Sequence, residues 1–241
     1  VIRAEVTAGG VWRVTLGRLE RGNARREEDY VLLADLLGQI GRMEGARAVL
    51  VEGEGPSFCA GNDLDEFETR WPQPEEVAVV RLLDALRASP LPLLAAVQGG
   101  AAGIGATMLL HFDVVVAAPD AFLVFPFVDL GITVEGGASQ LLPQRIGRAR
   151  AMEILLTGRR VHAEEALRLG LVSRVAREAP RDEAAELARL IASKPPAAVQ
   201  ATGRLVGHPS SDALCALIRE EIGTIDELIE RKRRSAAPEA P

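Results

Sequence analysis

The stretch Gln98 to Asp113, QGGAAGIGATMLLHFD, limits what the chain can fold into more than any other. Before it lies an apolar run, Leu91 to Val97, short and ending at glycines, which reads as a buried strand. Past the glycines, Ala101 to Leu110 is rich in small residues, Leu and Met, and predicts a buried helix. Gly99, Gly100, Gly103 and Gly105 therefore crowd a strand-to-helix turn. The missing side chains let a ligand come close, and several N–H groups lack intrahelical partners. A ligand oxygen with negative charge would be stabilised there. A tight turn packed under a neighbouring element explains the same letters equally well. A dinucleotide fingerprint does not, because Met108 stands where the third glycine of G-x-G-x-x-G belongs.

With 241 residues and 48% hydrophobic content, the chain can bury one large core. A net charge of -6 argues against nucleic acid as the main partner. Cys59 and Cys215 make no disulfide framework, so a reduced, cytoplasmic setting is expected. Neither a membrane span nor a secretory leader pattern is legible. His111, His162 and His208 lie far apart in no metal-like spacing, so no metal site is expected; His111 falls in the apolar helix and reads as packed.

In chain order, Ile2 to Thr7 and Val11 to Leu16 alternate around Gly9-Gly10 and predict a hairpin. Arg18 to Arg26 is a polar turn, and Asp29 to Met43 carries Val31, Leu32, Leu36, Leu37 and Ile40 at helical spacing. Ala46 to Glu52 reads as a strand, followed by a second glycine-bearing loop through Phe58-Cys-Ala-Gly-Asn-Asp-Leu64. Trp71 to Glu76 is proline-broken, and Val77 to Ser89 is helical. Strands are expected at Val114 to Ala117 and Leu171 to Val175, with an apolar segment at Ala121 to Val128. Leu130 to Ala138 is a third glycine-rich turn, leading into helices at Ser139 to Arg145, Arg150 to Thr157 and Ala163 to Leu169. From Asp182 the chain is mostly helix, broken at Lys194-Pro-Pro196 and at Gly207 to Ser211. Ser235 to Pro241 reads as a disordered tail. This order predicts an α/β core over residues 1–180 and a helical region over residues 181–241.

Phe58 to Leu64, then Ala95-Ala-Val-Gln-Gly-Gly-Ala-Ala-Gly-Ile-Gly105, then Asp113, resemble the crotonase (enoyl-CoA hydratase/isomerase) superfamily. The likeness continues through Phe125 to Gly131, Gly136 to Arg145 and Leu156 to Val175, about three quarters of the chain. It implies a ββα spiral core with a C-terminal helical region that assembles trimers or dimers of trimers. It also implies an acyl-CoA thioester substrate, with CoA part of the substrate and no separate cofactor. In that family two backbone N–H groups hold the thioester oxygen, and the matching residues are Asn62 and Ile104. Fixed donors aimed at an oxygen that gains charge need not reorganise; losing one typically costs roughly 3–4 kcal/mol of barrier. Asp63, beside Asn62, reads as a structural cap.

The family's hydratases use two glutamates, and the matching positions here hold Thr107 and Phe127. Neither can carry a proton for water addition. One carboxylate does match a family catalytic position: Glu135, in Thr133-Val-Glu-Gly-Gly-Ala-Ser139, which is similar to the base-bearing segment of monofunctional Δ3,Δ2-enoyl-CoA isomerases, with Val134 in place of proline. A single base suits an isomerase, and Phe125, Phe127 and Val134 could supply the apolar surroundings that raise a carboxyl pKa. By its residues alone, Glu135 could equally be a solvated loop glutamate or a charge at a helix start. Asp129 is the nearest rival. For substrate binding the resemblance implies Ala24, Ala60, Asn62 and Leu64 along the CoA nucleotide and Gly103 and Ile104 at the acyl end, with Arg25, Arg26 and Arg231 to Arg234 as candidate phosphate partners. The expected activity is 3-enoyl-CoA to 2-enoyl-CoA isomerisation; the alternatives are a hydratase-like or other enolate-forming activity, or a CoA-ester-binding chain without turnover.

Overall fold

Two strands buried on both faces organise the molecule, β3 (Ala48–Gly53) and β4 (Leu93–Val97). The computed structural model describes residues 2–67, 77–206 and 212–236. The expected loop at Trp71 to Glu76, the turn at Gly207 to Ser211 and the last five residues of the expected tail lie outside them.

Before β3 come β1 (Ile2–Val6), β2 (Val11–Leu16) and the amphipathic helix α1 (Glu27–Ile40). Between β3 and β4 lie α2 (Leu64–Phe67) and α3 (Ala78–Arg87). Then follow β5 (Gly100–Ala102), α4 (Ile104–Thr107), a 3-10 turn over Met108–His111, β6 (Val114–Ala117) and β7 (Phe122–Val124). The remainder is α5 (Ala138–Ile146), α6 (Arg148–Thr157), β8 (Val161–His162), α7 (Ala163–Leu169), β9 (Arg174–Val175), α8 (Pro180–Ala192), α9 (Pro196–Val206) and α10 (Asp212–Ala236).

The larger sheet runs β1-β2-β3-β4-β6-β9, parallel except for the β1–β2 hairpin, and a smaller sheet runs β5-β7-β8. Alternation along the parallel strands fills two cores. Val49, Val51, Leu93 and Ala95 face the large core shared with α1, α3 and α10. Ala48, Leu50, Leu94, Ala96 and Val116 face Ala184, Ala185 and Ala188 of α8. This is the continuous apolar reading expected of a parallel sheet covered on both sides. α8 thus packs directly on the sheet, although it lies past residue 180. Leu214, Ile218, Ile222 and Ile225 of α10 join the large core.

Three expectations are corrected. The helix expected over Ala101 to Leu110 begins only at Ile104, because Gly100–Ala102 pairs in parallel with Phe122–Val124 and is strand. Of Leu171 to Val175, only Arg174 and Val175 pair, with Val116 and Ala117. Ser235, expected in the tail, lies within α10. Among the described residues, no helix is long and apolar enough to cross a membrane.

Candidate active site

The two glycine loops meet edge to edge. Cys59 and Ala101 form a parallel bridge, the Ala102 N–H donates to the Cys59 carbonyl at 2.9 Å, and a Cβ at Gly61 would come within 2.9 Å of the Ala102 carbonyl oxygen. Gly61 is also left-handed, at φ 98°. A third strand of chain is laced to this pair: the Arg25 N–H donates to the Gly61 carbonyl and the Asp63 N–H to the Arg25 carbonyl, both at 2.8 Å. Neither the Asn62 nor the Ile104 N–H bonds a backbone carbonyl among the described residues. Ile104 is the first residue of α4, where an N–H has no intrahelical acceptor.

The Asn62 side chain is held by Tyr30, whose hydroxyl donates to Asn62 Oδ1. Burial pushes the Tyr30 phenol well above its ordinary pKa, so it is a neutral donor. Asp63 accepts from Arg18 Nη2 at 2.6 Å and from the Asp65 N–H at 3.1 Å. The Arg18 guanidinium holds the Asp63 carboxyl below the usual carboxylate range. Asp63 is the structural cap expected, not a base.

Glu135 lies in a turn that only glycines can follow. Gly136 and Gly137 take φ of 76° and 75°, and a Cβ at Gly136 would come within 2.9 Å of Thr107 Cβ and Oγ1. Three side chains from distant elements fasten this turn. Thr107 Oγ1 donates to Glu135 Oε1 at 2.6 Å, and His111 Nε2 lies 2.8 Å from the Gly136 carbonyl oxygen. From α10, Glu221 accepts from the Gly137 N–H at 2.7 Å and the Ser139 N–H at 3.0 Å, and from the Ser139 hydroxyl. Thr107, at a position that cannot serve as a hydratase glutamate, thus becomes the partner of the one remaining carboxylate.

Glu135 is 5% exposed, and its Oε2 has no hydrogen-bond partner. Burial raises its pKa to about 8, opposed by the Thr107 hydrogen bond and reinforced by the nearby Glu221 carboxylate. Such a carboxyl holds its proton more tightly folded than unfolded. Below about pH 4.5 both states are protonated; as pH rises from there towards about 8 the unfolded chain alone gives up its proton, so stability falls. Glu135→Gln is therefore expected to raise the melting temperature, by a margin that widens between pH 5 and pH 8. A margin independent of pH would contradict the burial of an ionisable group there.

Glu135, Asn62, Tyr30 and Arg25 line one cavity that opens to solvent. Its apolar wall comes from Val77, Ala78, Phe127, Ile132, Ile222 and Ile225. Phe127 contributes as expected, but α3 and α10 supply most of the rest. Three other carboxylates line the wall, Glu27, Asp63 and Glu66; Asp63 is held as above, and Glu66 accepts from the Glu27 N–H at 3.2 Å. Asp129 is exposed and sits against the left-handed turn at Gly158. Ala60 and Leu64 are exposed beside Asn62, whereas Ala24 is buried. Arg26 is half exposed and lies 3.7 Å from Asp63. Arg25 is not a surface phosphate partner: its side chain is 1% exposed and turns inward. Arg231 to Arg234 form an exposed end of α10, where Arg234 lies 3.4 Å from Glu230. Among the described residues, no three His, Cys, Asp or Glu side chains group as metal ligands.

Residues 6–240 match the family model described as enoyl-CoA hydratase/isomerase. The chain belongs to this family, the crotonases. It is 39% identical over 194 residues to the 1,2-epoxyphenylacetyl-CoA isomerase of Escherichia coli (strain K12), covering 77% of this chain and 74% of that one. It is 34% identical over 209 residues to the human mitochondrial Delta(3,5)-Delta(2,4)-dienoyl-CoA isomerase, covering 80% of this chain and 64% of the relative. The structure of an enoyl-CoA hydratase/isomerase from Pseudoalteromonas atlantica T6c superposes with a TM-score of 0.88 at 32% identity, covering 100% and 99% of the two chains. The crotonase fold and the hydratase/isomerase enzyme class expected from the motifs are thereby established. Tyr30 and Glu221 were missed by sequence reasoning; the only signal for either was a polar group on a core-facing helical position.

Proposed function

We propose that this crotonase isomerises a 3-enoyl-CoA thioester to the conjugated 2-enoyl-CoA, with Glu135 as the only proton carrier. One observation carries the reading: Glu135 Oε2 is buried, unpartnered and on the wall of the cavity that Asn62 also lines. Oε1 is committed to Thr107, so one oxygen orients the carboxylate and the other is left to take a proton. The α-proton of the 3-enoyl thioester passes to Oε2, and the electron pair delocalises onto the thioester oxygen as an enolate. The Asn62 and Ile104 N–H groups stabilise that oxygen. The same proton then returns to the γ-carbon, leaving the double bond between the α- and β-carbons. Atoms and charge balance without a cofactor, because CoA travels with the substrate.

Two of the relatives named above are isomerases, and both names specify a CoA thioester. Hydration is disfavoured because it needs a second proton carrier, and Thr107 and Phe127 offer none. A trimer or dimer of trimers fits the same reading. α9 buries none of its residues and exposes Leu205 and Val206.

The test is direct. Mixed with a 3-enoyl-CoA, the protein is expected to generate the near-ultraviolet absorbance of the conjugated 2-enoyl thioester, and to hydrate crotonyl-CoA far more slowly. Hydration at a comparable rate would mean that the acid–base groups are misassigned. Binding of acyl-CoA with neither reaction would leave a CoA-ester-binding chain without turnover.

A further inference from the structure

Arg25 is the largest fully buried charged side chain in the molecule's described part, and it is under-used. Its Nε donates to the Asn23 carbonyl at 2.7 Å, which accounts for one of five N–H donors. Nη1 and Nη2 have no hydrogen-bond partner. The charged group nearest to them, Asp29, places Oδ1 3.9 Å from Nη1, an ion pair without a hydrogen bond. Its other oxygen is committed to the Arg26 N–H at the start of α1. The Cys59 thiol lies against the guanidinium and the Tyr30 phenol lies near it, but burial pushes both up, so neither carries a charge to offset it. A buried cation with its outer fork unsatisfied is costly unless something else completes it.

The cavity is where completion can come from. Arg25 lines it together with Glu135, Tyr30 and Asn62, and the Arg25 backbone is bridged to Asn62 itself. A CoA phosphate is a poor candidate, since it belongs at the solvent-facing mouth while the Arg25 side chain is 1% exposed. The planar fork of a guanidinium matches two coplanar oxygens. We propose that Arg25 is a specificity-determining residue that receives a carboxylate on the acyl group, so that the preferred substrates are CoA monothioesters of dicarboxylic acids. The apolar wall then contacts the methylenes between the two ends, and Arg25 selects length as well as charge. This rests on the reading of the cavity as the acyl site.

The experiment is a calorimetric comparison of saturated thioesters in matched pairs, with succinyl-, glutaryl- and adipyl-CoA set against butyryl-, valeryl- and hexanoyl-CoA. The wild-type protein is expected to bind the carboxylate-ended member at least about tenfold more tightly at one chain length, the scale of a charge-assisted pair. Arg25→Met is expected to abolish or reverse that preference, and Arg25→Lys to restore it in part. Equal or tighter binding of the methyl-ended member at every length by wild-type protein overturns the proposal, whether or not the variants fold. That failure is distinct from failure of the proposed function, which would appear as no binding of either series.

Discussion

Glu135→Gln is expected to lower turnover of a 3-enoyl-CoA by about 10²-fold or more while leaving the affinity for a saturated acyl-CoA within about twofold. The amide keeps the volume and can still accept from Thr107, so the cavity wall is unchanged. What it loses is the free basic oxygen, Oε2, which Thr107 leaves unengaged. Burial strengthens the base but limits how much of it is ionised. With a pKa raised to about 8, the carboxylate form grows as pH rises through that value, so kcat/KM of the unmodified enzyme is expected to climb along a single acidic limb. The Gln variant has no such limb. Asp129→Asn serves as the control and should leave turnover unchanged, since Asp129 is exposed on another turn. Near-normal turnover by purified Glu135→Gln protein would sink the assignment.

Which parts of this site were legible in the sequence follows from how each is built. The glycine loops are forced by contacts that forbid a side chain: Gly61 against Ala102, Gly105 against Cys59, Gly136 against Thr107. Such positions leave letters in the chain, and the loops were read from them. Glu135 could be singled out because it precedes two of those glycines. Tyr30 and Glu221 act through hydrogen bonds to residues far along the chain, and a helical pattern does not say which partner a polar group on the buried face will meet. Arg25 misled for a related reason. Next to Arg26 it looks like half of a basic surface pair, but the backbone bridge to Asn62 turns its side chain inward while Arg26 stays out. The early start expected for the helix at Ala101 failed although alanine favours helix over strand. Pairing with Phe122–Val124 decides for strand, a tertiary contact overriding local preference.

The close packing of the two loops makes a second large effect predictable at a residue without a side chain. Gly105 sits in α4, in helical conformation, so backbone strain is not its reason for being glycine. Space is. A Cβ at Gly105 would overlap the Cys59 carbonyl oxygen and come within 2.9 Å of Cys59 Cβ, and Cys59 is fully buried between the sheets. Neither atom can swing aside, because the Cys59 carbonyl is bonded to the Ala102 N–H and its N–H donates to the Gly100 carbonyl. Gly105→Ala must therefore push the two loops apart. Overpacking of this kind typically costs about 1–3 kcal/mol of stability. The consequence for catalysis should be larger, because Ile104 is the neighbour of Gly105 and Asn62 follows Cys59 by three residues. Separating them misaligns both proposed donors to the enolate oxygen at once, and loss of a single such donor typically costs about 10²–10³ in kcat. The variant is expected to fold with a modestly lowered melting temperature, to bind acyl-CoA more weakly, and to lose turnover by at least about 10²-fold. Glu135 is untouched, so the acidic limb of whatever activity remains should persist, unlike that of Glu135→Gln. Turnover within a few-fold of the unmodified enzyme in a stably folded Gly105→Ala protein would show that the enolate oxygen is not held between these two loops.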